Sequence, residues 1–240
     1  MPETALQTEY SVVARASRPG PLPFVLKADE TFAVFDPYGS VRASGGNEFG
    51  VFHEGTRHVS RLELRMWGRP PLLLSSSVRQ DNCSFSAHLT NPDMPETPER
   101  AAVPNGSVHV MCSTALTPGG CHQRLRFASY ASGPVRIPVV LLFDADFRDI
   151  FEVRGMTRAR RGTTERRETA DGVELLYRGL DGRVRRSVLH AGPRRVRVGP
   201  DGVHAEVELG PGEMADVGVC VRFGGADASG SGNEAGVGNG

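Results

Sequence analysis

The sequence predicts an all-β protein, a large antiparallel sandwich. Apolar residues recur at period two along most of the chain, turn signals separate these runs, and no segment carries an apolar helical face. Phe32 and Val34 begin the series. Leu62, Leu64 and Met66 form the next clear alternation, followed by Phe85, Ala87 and Leu89 and then by Leu125 and Phe127. Residues 137–143 are continuously apolar, as in a strand buried on both faces. Val173, Leu175 and Tyr177 alternate again, as do Val203, Ala205, Val207 and Leu209, and residues 215–223 make the last strand.

The punctuation comes from Asp36-Pro37-Tyr38-Gly39, Gly45-Gly46-Asn47, Trp67-Gly68-Arg69-Pro70, Asp181-Gly182, Asp201-Gly202 and Pro211-Gly212. The two Asp-Gly pairs suit tight hairpins, because both residues tolerate positive φ. Residues 91–106 hold Pro92, Pro95, Pro98 and Pro104, which a central strand excludes, so a long surface loop is expected there. Residues 224–240 are rich in Gly, Ser and Asn and are expected to form a disordered tail. The division is an N-terminal extension (1–21) with room for a first strand, one β domain (22–223), and that tail.

A chain of 240 residues suits one large β domain and hides roughly 70% of its unfolded surface. The 28 basic and 28 acidic residues balance, which speaks against nucleic acid or an anionic membrane as partner. The first ten residues lack the basic and apolar regions of a signal peptide, and no stretch is apolar enough for a membrane helix, so the cytoplasm is the expected compartment. Cys83, Cys112, Cys121 and Cys220 form no close pair and are read as small buried hydrophobes. No cofactor motif is present. The glycine-rich stretches 44–50 and 224–232 do not lie between a strand and a helix.

His53-Glu54-Gly55-Thr56-Arg57-His58 has a superficial likeness to a zincin motif. That motif needs its histidines at i and i+4 on a helix; here the second falls at i+5 in strand-like surroundings, so no metal is expected. Residues 144–155 are the most unusual segment. Asp144, Asp146, Asp149 and Glu152 alternate with Phe147, Ile150 and Phe151, which are expected to anchor the segment in the core. Carboxylates beside a core need partners; Arg148 and Arg154 are adjacent, and Arg57 is a further candidate. Four readings stay open: a calcium loop, though no glycine lies inside the cluster; a glycosidase acid pair; an arginine–carboxylate network; and a loop that docks on another domain. The candidate network is Arg57, Asp144, Asp146, Asp149, Glu152 and Arg154. If Arg154 pairs with a buried carboxylate, its loss is expected to cost several kcal/mol. Trp67, the sole tryptophan, is expected to pack at a strand end.

Four blocks of sequence resemble the N-terminal domain of bacterial glycogen-debranching-type (amylo-α-1,6-glucosidase-like) enzymes. They are Leu26-Lys27-Ala28-Asp29-Glu30-Thr31-Phe32 with Asp36 and Gly39; Gly50-Val51-Phe52-His53 and Thr56-Arg57-His58-Val59-Ser60-Arg61 running on to Ser76; Leu89-Thr90-Asn91-Pro92-Asp93; and Asp146-Phe147-Arg148-Asp149-Ile150-Phe151-Glu152-Val153-Arg154-Gly155 followed by 177–182. The resemblance implies a β-supersandwich that precedes an (α/α) barrel, the barrel holding the catalytic carboxylates. It therefore implies no catalytic residue in this chain, and either a separately encoded (α/α) barrel glycosidase domain as partner or a remnant of a longer enzyme, with α-glucan as a further partner. The chain departs from the family pattern where Glu54-Gly55 replace an Arg-Asp pair and where Met111 and Cys112 replace arginines. A free-standing α-glucan-binding protein using Tyr38 or Tyr130 is the alternative function. A small glycosidase using Asp146, Asp149 or Glu152 is a third.

Overall fold

The computed structural model describes residues 22–43, 48–80, 82–98, 100–170, 172–192 and 196–227. The N-terminal extension, the Gly45-Gly46-Asn47 turn and residues 228–240 lie outside the described residues. In chain order the strands are β1 (Phe24–Ala28), β2 (Thr31–Phe35), β3 (Val41–Arg42), β4 (Gly50–His53), β5 (Thr56–Val59), β6 (Arg61–Met66), β7 (Leu72–Val78), β8 (Ser84–Thr90), β9 (Val108–Thr117), β10 (Gly120–Ser129) and β11 (Val135–Asp144). One helical turn follows, α1 (Ile150–Val153). Then come β12 (Thr163–Glu168), β13 (Gly172–Arg178), β14 (Arg183–Ala191), β15 (Val196–Gly199), β16 (Gly202–Leu209) and β17 (Met214–Asp227).

All the pairings are antiparallel. An eight-stranded sheet runs β12-β13-β14-β17-β10-β9-β8-β7, a five-stranded sheet β15-β16-β11-β6-β3, and a four-stranded sheet β1-β2-β4-β5. Period-two alternation gives strands such as β8, β9, β10 and β16 one apolar face, and these faces meet in one core that includes Phe85, Leu89, Leu125, Phe127, Ile137, Leu141, Leu64 and Val207.

The expected elements hold with local differences. In β2 the buried residues are Thr31, Ala33 and Phe35, the opposite parity from Phe32 and Val34, which lie partly buried on the other face. Phe32 stacks there on Phe52, with centroids 4.6 Å apart and planes 6° apart. In β11 only the C-terminal end is covered on both faces; Pro138 is exposed and Val140 partly so. Residues 224–227, expected in the tail, instead extend β17, with Gly224 opposite Arg186 and Asp227 opposite Arg183.

The turns differ more. Glu54 (φ 47°) and Gly55 (φ 73°) form a two-residue turn with both residues left-handed, and Trp67 (φ 49°) and Gly68 (φ 75°) form another, the hairpin geometry that matches strand twist. At Asp181-Gly182 only Gly182 is left-handed, in a longer loop closed by Gly179 N donating to Arg183 O at 2.8 Å. The β15–β16 turn centres on Pro200 and Asp201, with Gly199 opposite Gly202. Residues 91–106 are a folded excursion: buried Asn91 donates to Pro92 O (2.9 Å) and Pro104 O (2.8 Å) and accepts from Val108 N (2.8 Å). Met94 and Val103 bridge across it and are buried.

Cys112 and Cys121 are buried, and burial pushes both thiols up to about 12. Cys83 and Cys220 are partly exposed instead. No helix among the described residues is long and apolar enough to cross a membrane.

Candidate functional site

The acid-rich segment leaves β11 and runs beside β5. Arg57 N donates to Arg148 O at 2.7 Å, and Ile150 N donates to Gly55 O at 3.0 Å. The hairpin Glu54-Gly55 and the segment 146–150 therefore hold each other in place.

Phe147 sits at φ 49°, a conformation costly for a bulky side chain. Its flanks explain why it persists. Its buried ring stacks on Tyr177 at 5.5 Å and meets the His58 ring edge-on at 5.5 Å. The preceding carboxylate, Asp146, is gripped at two points by Arg57: Nε donates to Oδ1 at 2.9 Å, and Nη2 meets Oδ2. Arg57 is only 4% exposed and spends Nη1 on Phe49 O at 3.1 Å.

Asp149 and Glu152 cap α1 reciprocally. Asp149 Oδ1 accepts from Phe151 N (2.9 Å) and Glu152 N (2.8 Å), and Glu152 accepts from Asp149 N (3.2 Å). Arg158 then grips Asp149 and approaches Glu152 at 3.5 Å. Arg161 reaches Glu152 at 3.6 Å, donates to Asp146 O at 2.6 Å and lies over the Tyr177 ring.

The structure thus brings together Arg57, Asp146, Asp149 and Glu152, and leaves out Asp144 and Arg154. Asp144 is exposed, and its side chain accepts from its own neighbour, Ala145 N, at 2.9 Å. Arg154 pairs with Glu48 at 3.3 Å, the two being 60% and 55% exposed. That corrects its expected role: the helical turn aims it outward. Phe151 is also 60% exposed and anchors nothing, whereas Phe147 is buried and Ile150 partly so. Arg158 and Arg161 are network members that sequence reasoning missed. The only signal for them is the arginine-rich stretch 158–161 following the acidic block.

The layering of this site is unusual. Its carboxylates lie inward, Glu152 being 8% exposed, while Arg148, Arg154 and Arg158 point out. Three apolar side chains are exposed here, Phe151 and Met156 in this segment and Leu180 in the adjoining β13–β14 loop. Met156 N donates to Phe151 O at 2.9 Å, and Leu180 lines one small cleft with Asp149 and Arg158. A second, polar cleft of about 400 Å³ adjoins it, lined by His53, Glu54, Thr56, His58, Arg183 and Arg185.

Arg185 is fixed by a two-point pair with Asp181 (3.2 and 2.8 Å) and by Thr56 Oγ1 at 3.3 Å. The hydrogen bond from Arg185 holds the Asp181 carboxyl down at about 2. Burial, and then the charge of His53, lower His58 to about 3. Ser187 Oγ donates to His58 O at 2.9 Å, so it accepts at 3.0 Å from His58 Nδ1. The neutral ring therefore carries its proton on Nδ1. His53 bonds to Thr31 Oγ1 at 3.0 Å. Among the described residues no three His, Cys, Asp or Glu side chains converge as metal ligands.

The sequence matches the family described as the N-terminal domain of (some) glycogen debranching enzymes over residues 26–220. The chain belongs to this family. In this glycogen-debranching N-terminal domain the specific block 146–155 builds the network just described, so its motif residues mostly hold one another and β5. No curated protein matches the chain. A candidate kojibiose phosphorylase from human microbiome is similar in structure, with a TM-score of 0.58 and 10% identity; the match covers 86% of this chain and 30% of that one. The domain therefore spans under a third of that chain's length. A galactose mutarotase related enzyme from Lactobacillus acidophilus has a TM-score of 0.40 and 8% identity over 87% of this chain and 99% of that one. A heparan sulfate lyase HepC mutant from Pedobacter heparinus has a TM-score of 0.45 and 11% identity over 88% and 37%. At 10% identity the likeness to the phosphorylase is one of fold, and function resides in sites.

Proposed function

We propose that this domain is a non-catalytic module that docks on an (α/α) barrel glycosidase domain of the α-1,6-glucosidase type. The observation that carries the reading is the layered surface at α1: carboxylates inside, guanidinium groups outside, and Phe151, Met156 and Leu180 exposed in the same region. Exposed apolar side chains rimmed by charge are the anatomy of an interface. Membership of a debranching-enzyme family supplies the partner class. A small glycosidase built on Asp146, Asp149 or Glu152 gains no support, because each carboxylate is held by a guanidinium group. The thiols of Cys112, Cys121 and Cys220 agree with a reducing compartment, the cytoplasm. The test mixes the purified domain with the (α/α) barrel glycosidase of its own cell and follows complex formation by sedimentation. The native domain forms a complex and Phe151→Ser/Leu180→Ser does not; no complex with either rejects the docking role.

A second reading, binding of α-glucan, is favoured by one observation. Tyr130 is 72% exposed and borders a hollow of about 440 Å³ between the loop 100–107 and residues 131–136. Tyr38 is partly buried with the Arg42 guanidinium near its ring, which leaves Tyr130 as the candidate sugar platform. Gel retardation in glycogen, lost in Tyr130→Ala, is the expected sign; an unretarded native domain removes this reading.

A further inference from the structure

The outward face of the eight-stranded sheet holds a second cluster, independent of the α1 surface. His88 on β8 stands directly opposite Met111 on β9, and His109 lies two residues before Met111 on the same face. The three side chains are partly exposed. His88 Nδ1 and His109 Nε2 are 3.0 Å apart. The ring centroids are 5.2 Å apart and the planes 24° apart. That centroid separation is about the nitrogen separation plus one ring radius at each end. The imidazoles therefore meet head on, with one proton between two facing nitrogens.

We propose that this pair is a binding site for a soft monovalent cation, Cu⁺, held in line between His88 Nδ1 and His109 Nε2 with the Met111 thioether as a third donor. Two head-on imidazoles give the linear geometry that such a cation accepts, and thioether and imidazole donors select it over hard cations. With a metal–imidazole distance of about 2.0 Å, the nitrogens must part to about 4 Å, a movement of about 1 Å. Side chains on an open sheet face can make it. The proton between the rings moves to the other nitrogen of the ring that carried it, so both rings stay neutral and no net proton is released. The neighbours are compatible. Ser75 faces His88 on β7, and Arg126 faces Met111 on β10 with its charge held by Asp216 at 3.1 Å.

The test uses the full chain with Cys83→Ser and Cys220→Ser, because exposed thiols bind the same cations. Calorimetric titration with Ag⁺, and with Cu⁺ under anaerobic conditions, gives one equivalent per chain. His88→Asn or His109→Asn weakens binding by about 100-fold and Met111→Leu by about 10-fold, while Zn²⁺ shows no saturable binding. Nitrogen NMR of the unsubstituted rings then shows both imidazoles shifting together on adding Ag⁺, which keeps the test sound if a variant unfolds. Unchanged affinity in the two histidine variants, ring signals that ignore Ag⁺, or equally tight Zn²⁺ binding overturns the proposal.

Discussion

Arg57 and Asp146, 89 positions apart in sequence, are joined by a two-point ion pair whose guanidinium is almost fully covered. It ties the β4–β5 hairpin to the segment leaving β11, and it holds Asp146 beside the left-handed Phe147. Removing Arg57 leaves a carboxylate and the Phe49 carbonyl without that donor. Arg57→Ala is expected to destabilise the domain by about 2–4 kcal/mol, and Arg57→Lys to recover only part, since an ammonium cannot make the two-point contact. Denaturant unfolding measures both; a loss under about 0.5 kcal/mol for Arg57→Ala removes the pair as a structural tie.

Arg154 is the contrasting case. It and its partner Glu48 are both more than half exposed, and such pairs contribute little. Arg154→Ala is expected to change stability by less than about 0.5 kcal/mol in the same measurement.

His58 links stability to pH. Its folded value, about 3, lies below the ordinary 6.5 because burial penalises the charged ring. The unfolded chain therefore takes up a proton first as pH falls. Stability is full above about 6.5 and declines progressively as pH drops towards about 3. His109 contributes in the same direction, since its value is also lowered. Unfolding midpoints measured across this range should slope in native protein and slope less steeply in His58→Asn.

Gly39 closes the turn after Asp36 at φ +74°, and a Cβ there would lie 2.9 Å from Phe85 Cε1 and 3.2 Å from Cys112 Sγ. Both neighbours are buried core side chains. Gly39→Ala is expected to cost about 2 kcal/mol or more, adding the backbone penalty to the clash. Thermal unfolding reads it.

Much of this architecture is legible in the sequence, and its failures have physical causes. Alternation located β6, β8, β13 and β16 with the correct faces, because each covers the core with one side. It misread β2, where Phe32 has an aromatic partner, Phe52, on the second face. The density of acids in 144–152 marked the site. Adjacency then favoured Arg154, which one helical turn directs outward, over Arg158 and Arg161, which reach back only once the chain has folded. The His88–His109 contact joins residues 21 positions apart and depends on the register of β8 against β9, which spacing alone does not reveal.

The α1 surface, with Phe151, Met156 and Leu180 presented outward, is the centre of the functional account. The most direct measurement is affinity purification of the tagged domain from its native cell, beside Phe151→Ser/Leu180→Ser shown by thermal unfolding to be equally folded. The account predicts that the native domain brings with it an (α/α) barrel glycosidase polypeptide in stoichiometric amount and that the variant does not. Recovery of both as free monomer, or of the same barrel with both, would contradict it.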